Sequence, residues 1–116
     1  MTKGGRTFSP EYRLRCRRDY GLVRDRGRKR HTPHYIVIVM HRTCGPTRLG
    51  LTVSRKVGGA VVRNRVKRLL REFFRTRYEQ LPHHADISII AKKGASTLSF
   101  AELCEELHLL TGDTFN

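Results

Sequence analysis

One amphipathic segment, residues 59–78, constrains the fold of this chain more than any other part of the sequence. Its apolar residues recur at the spacing of a single helix face: Val62, Val66, Leu69, Leu70 and Phe73. That spacing predicts a long helix whose apolar stripe packs against a core. We expect the helix to end near Tyr78, before Pro82.

The other side of this predicted helix is strongly basic. At about 100° per residue, the positions opposite the stripe are Asn64, Lys67, Arg68, Arg71 and Arg75. Glu72 is the only acidic residue in the segment, whereas solvated helix faces normally mix both signs of charge. An ordinary solvated face is the alternative interpretation, but the excess of cations favours a surface that meets a polyanion.

The charge of the whole chain points the same way. The 116 residues carry a net charge of +14, and the last helical region, residues 101–116, contains four acids and no Lys or Arg. The length suits a single domain. No stretch approaches the roughly 18–20 apolar residues of a membrane span, and no secretory signal is recognisable. We therefore expect a cytoplasmic protein with no membrane partner.

The residues that could carry chemistry are scattered. Cys16, Cys44 and Cys104 lie far apart, which argues against a disulfide framework and against a zinc site. The histidine pairs at 31/34 and 83/84 flank predicted loops, where solvated histidines are commoner than metal ligands. A nuclease acting alone usually clusters carboxylates around two Mg²⁺ ions, and no such cluster accompanies the basic helix. The sequence therefore predicts no catalytic residue and no metal site on this chain.

The remaining pattern is that of a mixed α and β chain. It predicts a helix over 16–26, strands over 34–42, 48–54 and 86–92, and a final helix after a capping box that links Ser99 to Glu102. Residues 1–15 are expected to be a flexible basic arm, and residues 16–112 a single α+β domain that binds a polyanion.

The order of these elements predicts an α+β fold. We expect a two-layer sandwich in which helices pack on a central mixed sheet of three to four strands. The strands at 34–42 and 48–54 are expected to pair as a hairpin, preceded by a basic loop over 28–33. The strand-helix-strand unit that follows implies a parallel pair, whose crossover would be right-handed by the usual rule.

Several segments together are similar to a known family. They are LGLTVSRK at residues 49–56 and RNRVKRLLRE at 63–72, supported by DYGLV at 19–23 and IAKKGA at 90–95. In this order and spacing the chain resembles the protein subunit of bacterial ribonuclease P. The resemblance implies a left-handed crossover instead of the usual hand, as in the ribosomal protein S5 domain 2-like fold.

The resemblance also implies a function. The chain would partner a catalytic RNA that removes the 5′ leader from precursor tRNA, within a cytoplasmic ribonucleoprotein. The chemistry and its Mg²⁺ would belong to the RNA, with no cofactor bound by the protein. A ribosomal RNA-binding protein, a protein-only nuclease and a DNA-binding module are the alternatives. The Arg-Asn-Arg helix with its preceding strand disfavours the first, the shortage of carboxylates disfavours the second, and the lack of helix-turn-helix or zinc spacing disfavours the third.

Two sets of site residues follow from the resemblance. The residues expected to contact RNA are Arg55, Lys56, Arg63, Asn64, Arg65, Lys67, Arg68 and Arg71. A cleft for the single-stranded leader, between the first helix and the sheet, would use Tyr20, Arg24, Tyr35 and Ser54. Asn64 could instead tie down the start of the helix, and either tyrosine could instead belong to the core. Arg24 stands where many family members have a second aromatic residue, which leaves stacking open at that position.

Overall fold

The computed structural model describes residues 10–112 of the chain. Its four strands are β1 (Arg28–His31), β2 (Tyr35–His41), β3 (Arg48–Thr52) and β4 (Ala85–Ala91). The helices are α1 (Arg17–Arg26), α2 (Ala60–Thr76) and α3 (Phe100–Glu106). Short 3₁₀ turns cover Pro10–Tyr12, Tyr78–Gln80, Ala95–Thr97 and Leu107–Leu110. The predicted α+β fold with a mixed sheet of four strands is confirmed.

The strand order is β1-β2-β4-β3, which corrects the predicted pairing. Strand β3 does not form a hairpin with β2, because β4 lies between them, antiparallel to β2 and parallel to β3. Six of the seven residues of β4 are buried, so this strand needs neighbours on both edges and cover on both faces. The predicted parallel pairing of β3 with β4 is confirmed, while the left-handed sense of their crossover stays an expectation of the resemblance.

The segment predicted as a basic loop is strand β1 at one edge of the sheet. It pairs antiparallel with β2, and all four of its side chains are exposed. Charged side chains at an edge protect the unpaired backbone from further strand pairing. Because the side chains contribute no burial, hydrophobic periodicity gave no sign of this strand.

The main core lies between one face of the sheet and helices α2 and α3. The buried residues of α2 are Val66, Leu70, Phe73 and Phe74. The predicted stripe is wrong at its first position, since Val62 is 37% exposed and lies in the first helical turn beside Gly58. Phe74, which the stripe omitted, is 3% exposed and extends the buried face at the other end.

A smaller apolar cluster lies on the opposite face of the sheet, beneath α1. Leu14, Val23 and Ile38 form its buried centre. Leu14 belongs to the segment predicted as a flexible arm, but its amide donates to the Leu49 carbonyl at 3.0 Å, and Arg13 forms a parallel bridge with Leu49. The end of the predicted arm therefore contacts the sheet, while residues 1–9 lie outside the described part of the chain and the flexible arm stays a prediction.

The C-terminal helix begins as predicted. The Ser99 hydroxyl accepts from the Glu102 amide at 3.2 Å, and the Glu102 carboxylate accepts from the Ser99 amide at 2.8 Å. This reciprocal capping box is confirmed. None of the helices within residues 10–112 has the length and apolar character needed to cross a membrane.

Candidate nucleic-acid interface

The outward side of α2 presents a group of cations that pair with no carboxylate within residues 10–112. Asn64, Arg68 and Arg71 are exposed and Lys67 is half-buried, and these four residues are called the α2 surface below. Across residues 10–112, none of its three cations forms an ion pair. The buried side of the same helix fixes the position of this surface on the sheet, so its charges are held at defined spacing.

Two arginines predicted to contact RNA lie instead at the flanks of α2. Arg65 is half-buried and donates from Nη1 to the Ser96 carbonyl at 3.2 Å, which ties α2 to the turn after β4. Arg63 is half-buried too, and its buried Nε donates to no acceptor among the described residues. At about 100° per residue, Arg63 lies about 40° from Lys67 and about 60° from Val66, so it is at the border between the exposed row and the buried face.

The turn between β3 and α2 carries the other predicted RNA contacts. Ser54, Arg55 and Lys56 are all exposed there. The Val57 amide donates to the Ser54 carbonyl at 3.0 Å, and Gly58 follows with φ of 156°. A Cβ at Gly58 would lie 2.8 Å from Cγ1 of Val62, so this close approach requires glycine. Since β3 is an edge strand, the turn joins the two faces of the sheet.

The sheet face beneath α1 contains a row of residues that the helix leaves uncovered. Directly paired residues project to the same face of a sheet. The register aligns His31 with Ile36, Ile36 with Ile90, and Ile90 with Thr52. The two isoleucines are half-buried and the outer two residues are exposed. This row crosses all four strands beside α1; its four residues are called the floor below, and the space above them, bordered by α1, is called the trough.

Helix α1 forms the wall of the trough. On one side of the helix, Asp19 lies 3.7 Å from Nη1 of Arg48, so that side faces away from the trough. Tyr20 and Arg24, one helical turn apart, lie on the other side and face the trough. The Tyr20 ring covers Gly50, where a Cβ would lie 2.6 Å from Cε1 of the ring. Glycine at this position therefore allows α1 to approach the sheet closely.

The exposure of the predicted cleft residues separates them into two groups. Tyr20 is half-buried, while Arg24 and Ser54 are exposed, so all three are accessible to a ligand. Tyr35 is 1% exposed and packs in the main core, and burial raises the pKa of its hydroxyl. Burial thus favours the core alternative for Tyr35, and its assignment to the cleft is corrected. Tyr35 projects to the opposite face from Ile36 because strand side chains alternate.

Sequence reasoning missed the floor of the trough. His31, Ile36, Thr52 and Ile90 had no motif to mark them, and the apolar run of β2 suggested burial on both faces. The available signal was Gly50, whose lack of a side chain in a strand indicates close approach of another element. Only the register between three strand pairs brings the four floor residues into one row.

A buried ion network holds the other side of α1. The Asp86 carboxylate accepts from Nε and Nη2 of Arg48, both at 2.8 Å, and lies 3.1 Å from Nε of Arg42. Hydrogen bonding to Asp86 raises the pKa of Arg48. Arg42 also donates to the carbonyls of Cys44 and Pro46 in the loop after β2. The network therefore connects α1, both strands of the parallel pair and this loop.

The described part of the chain contains no group of three or more His, Cys, Asp or Glu side chains arranged to hold a metal ion. The nearest concentration of acids, on α3, instead makes internal bonds. Glu106 accepts from the Thr32 hydroxyl at 2.5 Å and from the His34 amide at 2.6 Å, and His34 Nδ1 lies 2.7 Å from its other oxygen. This carboxylate ties α3 to the turn between β1 and β2.

Comparison with known proteins agrees with this geometry. The family model described as Ribonuclease P matches residues 8–114. The ribonuclease P protein component of Desulfovibrio desulfuricans is 50% identical over 101 residues, covering 84% of this chain and 78% of the relative. The corresponding component of Syntrophus aciditrophicus is 40% identical over 104 residues, covering 90% of this chain and 87% of the relative.

Solved structures agree as well. The RNase P protein from Thermotoga maritima, solved in complex with 1-(4-fluorophenyl)-2-thiourea, superposes with a TM-score of 0.80 at 34% identity, covering 87% of this chain and 99% of that one. The Staphylococcus aureus RNase P protein gives a TM-score of 0.80 at 27% identity, with 90% and 98% covered. The chain therefore belongs to the ribonuclease P protein component family, which works with the RNase P RNA in an endoribonuclease that processes the 5′ leader of precursor tRNA and whose catalysis sits with the RNA.

Proposed function

We propose that the α2 surface binds the catalytic RNA and that the trough binds the single-stranded 5′ leader of precursor tRNA. One observation carries this proposal: the two surfaces, on different faces of the sheet, meet at the exposed Ser54–Lys56 turn beside edge strand β3. A protein with this arrangement can hold two RNA molecules side by side. Its role is to position the leader, while the RNA performs the hydrolysis.

The α2 surface suits a folded RNA. Its cations lack carboxylate partners within residues 10–112, so RNA phosphates face no competing internal anion. Arginine presents a planar set of donors that can contact a phosphate through two bonds. Each such contact releases condensed counterions, so affinity should fall steeply with salt. Arg63 and Arg65, held at the flanks, would contribute charge more than direct contacts.

The trough suits a single strand. Proteins bind single-stranded RNA through cationic grooves with aromatic or apolar surfaces on which unstacked bases rest. The floor of Ile36 and Ile90 offers apolar area without hydrogen-bonding groups, so it would accept any base. Tyr20 supplies an aromatic face at the wall, and Arg24 a cation one turn further along. We therefore propose binding of the leader with little sequence preference.

The remaining parts of the proposal concern the ion and the compartment. We propose that the Mg²⁺ needed for hydrolysis is bound by the RNA subunit and that the protein reduces the concentration required. The net charge of +14 offsets repulsion between two polyanions, which is otherwise a task of the ions. We also propose a cytoplasmic location, where precursor tRNA is available.

The first experiment measures cleavage of a precursor tRNA by the protein alone, the RNA alone and both together at low Mg²⁺. We expect cleavage only when both are present, because the RNA carries the catalysis and the protein supplies charge and positioning. Cleavage by the protein alone, or no stimulation of the RNA, would contradict the proposal.

The second experiment tests the α2 surface. Arg71→Ala should weaken binding to the catalytic RNA and lower the slope of log K against log salt by about one, the expectation for one lost phosphate contact. Arg75→Ala is the matched control, because Arg75 lies on the same helix but already pairs with Glu72 at 2.6 Å. Equal losses in both variants would mean that total charge, and not this surface, determines binding.

The third experiment tests the trough. Tyr20→Ala should reduce affinity for leader-bearing precursor more than for mature tRNA, since only the precursor occupies the trough. Tyr12→Ala is the aromatic control, because Tyr12 packs edge-on against Tyr78 at 5.4 Å in the main core. Equal losses for precursor and mature tRNA with Tyr20→Ala would show that Tyr20 is only a packing residue.

A further inference from the structure

We infer that strand β1 continues the leader path beyond the trough, with Lys29 and then Arg26 binding the phosphates of leader nucleotides far from the cleavage site. This inference rests on the proposed binding of the leader in the trough. It names a second segment of the substrate and the residues of this chain that would recognise it.

The first step is the direction of the trough. Its floor begins at Thr52 on edge strand β3 and ends at His31 on edge strand β1. Neighbouring strands lie about 4.8 Å apart, so the floor spans roughly 14 Å across three strand gaps. The β3 end adjoins the Ser54–Lys56 turn and α2, where the catalytic RNA is proposed to bind. The leader nucleotides farthest from the cleavage site therefore leave at the β1 end.

The second step is the face of β1 on which each side chain lies. Lys29 pairs with Ile38, which belongs to the cluster beneath α1, so Lys29 projects on the same face as the trough. Arg30 pairs with Val37 of the main core and projects on the opposite face. Both cations are exposed, and within residues 10–112 neither forms an ion pair. The two neighbours thus offer the same charge to opposite sides of one strand.

The third step is the charge on either side of the exit. Beyond His31 lies a hollow of about 650 Å³ lined by three glutamates of α3, Glu102, Glu105 and Glu106. At the other end of β1, a hollow of about 670 Å³ is lined by Arg26 and Arg28 among others. A phosphate chain leaving the trough is repelled by the first hollow and attracted by the second. Lys29 lies between the exit and the basic hollow.

Protection of the sheet edge is the competing explanation for a charged β1, since lysine and arginine commonly block further strand pairing. Edge protection predicts the same role for Lys29 and Arg30, because a charged side chain at either position prevents pairing with another strand equally well. The leader path treats them differently, because only Lys29 shares a face with the trough. The two residues therefore form a matched pair for a test.

The test uses the reconstituted holoenzyme and precursor tRNAs that differ only in leader length. One leader is short enough to end within the trough, and the other extends well past it. We expect Lys29→Gln to weaken binding of the long-leader precursor only, and to lower its salt slope by about 0.7, the value for one phosphate contact on a single strand. Arg26→Gln should have the same selective effect. Arg30→Gln should leave both precursors unchanged.

The outcomes separate this inference from the proposed function. Equal effects of Lys29→Gln on long and short leaders, or equal effects of Lys29→Gln and Arg30→Gln, would overturn the path along β1. If Tyr20→Ala still discriminates precursor from mature tRNA in that case, binding in the trough stands and only its extension fails. If the unmodified holoenzyme shows no dependence on the leader, the proposed function fails as well.

Discussion

Replacement of Asp86 by Asn should destabilise the protein far more than any loss of a surface ion pair. The Asp86 side chain is 2% exposed and interacts with two arginines at once, Arg48 and Arg42. Asn keeps the size of the side chain but removes the charge and one acceptor. Arg42 then loses its anion and Arg48 keeps only Asp19, at 3.7 Å, while both guanidinium groups remain partly buried.

The magnitude follows from the burial of the partners. Removing one member of a buried ion pair costs about 3–5 kcal/mol, because the other charge remains without compensation. Here the side chains of Arg48 and Arg42 stay 26% and 25% exposed, so each can regain part of its hydration. We therefore expect a loss near the lower end, about 3 kcal/mol. For a domain with a typical stability of about 5–15 kcal/mol, this is a large fraction.

The assay is equilibrium unfolding in urea, followed by circular dichroism at fixed salt. With a slope of about 1–3 kcal/mol per molar urea, a loss of this size moves the midpoint by about 1–3 M. The matched control is Glu72→Gln, whose side chain is 45% exposed in its pair with Arg75. Each variant raises the net charge by one, so general repulsion is equal and only burial differs.

We expect the control to shift the midpoint little, since exposed pairs contribute little to stability. Equal shifts for Asp86→Asn and Glu72→Gln would refute the reasoning, because net charge would then explain both. A shift that disappears at high salt for Asp86→Asn would also count against it, because a buried network is poorly screened.

Three further substitutions test other contacts. Burial alone would raise the pKa of Glu106, but hydrogen bonds from Thr32 and His34 outweigh it and lower that pKa below the ordinary value of 4.5. The stabilising effect of the ionised carboxylate is present above pH 4.5 and is lost as the pH falls through the lowered pKa. Glu106→Gln should therefore destabilise the protein at pH 7 and reduce the acid sensitivity seen in urea unfolding at pH 3 to 7. Gly50→Ala places a Cβ 2.6 Å from the Tyr20 ring, so it should cost about 1–3 kcal/mol and weaken precursor binding relative to mature tRNA. Phe74→Ala should cost about 3–5 kcal/mol in urea unfolding, and Val62→Ala much less, because Phe74 is 3% and Val62 37% exposed.

The elements whose apolar residues recur at a regular spacing were predictable from sequence. The stripe of α2 repeats over several turns, and its middle positions, Val66, Leu70 and Phe73, are buried as predicted. The stripe was wrong at its beginning, where Val62 is exposed, and it omitted the buried Phe74 near its end. Periodicity describes which residues share a helix face, but it does not say how far along that face the sheet extends.

The pairing of strands was not predictable in the same way. A sequence favours neighbouring strands as hairpins, yet β4 inserts between β2 and β3 because it must be covered on both sides. Strand β1 had no hydrophobic pattern, since all four of its side chains are exposed and backbone bonds pair it with β2. Contacts between residues distant in the chain decide the position of β4, whereas β1 is formed by backbone pairing with β2, which the pattern of side chains does not reveal.

The candidate site, too, was predictable from sequence only in part. The sequence by itself determined the cationic face of α2, because spacing along one helix sets which side chains are neighbours and the composition leaves Glu72 as the only acid among them. Only the tertiary structure decided which face of the sheet each tyrosine occupies, placing Tyr20 at the trough and Tyr35 in the core. It also assembled the floor from His31, Ile36, Ile90 and Thr52, since a row across a sheet depends on register between strands that local sequence does not encode.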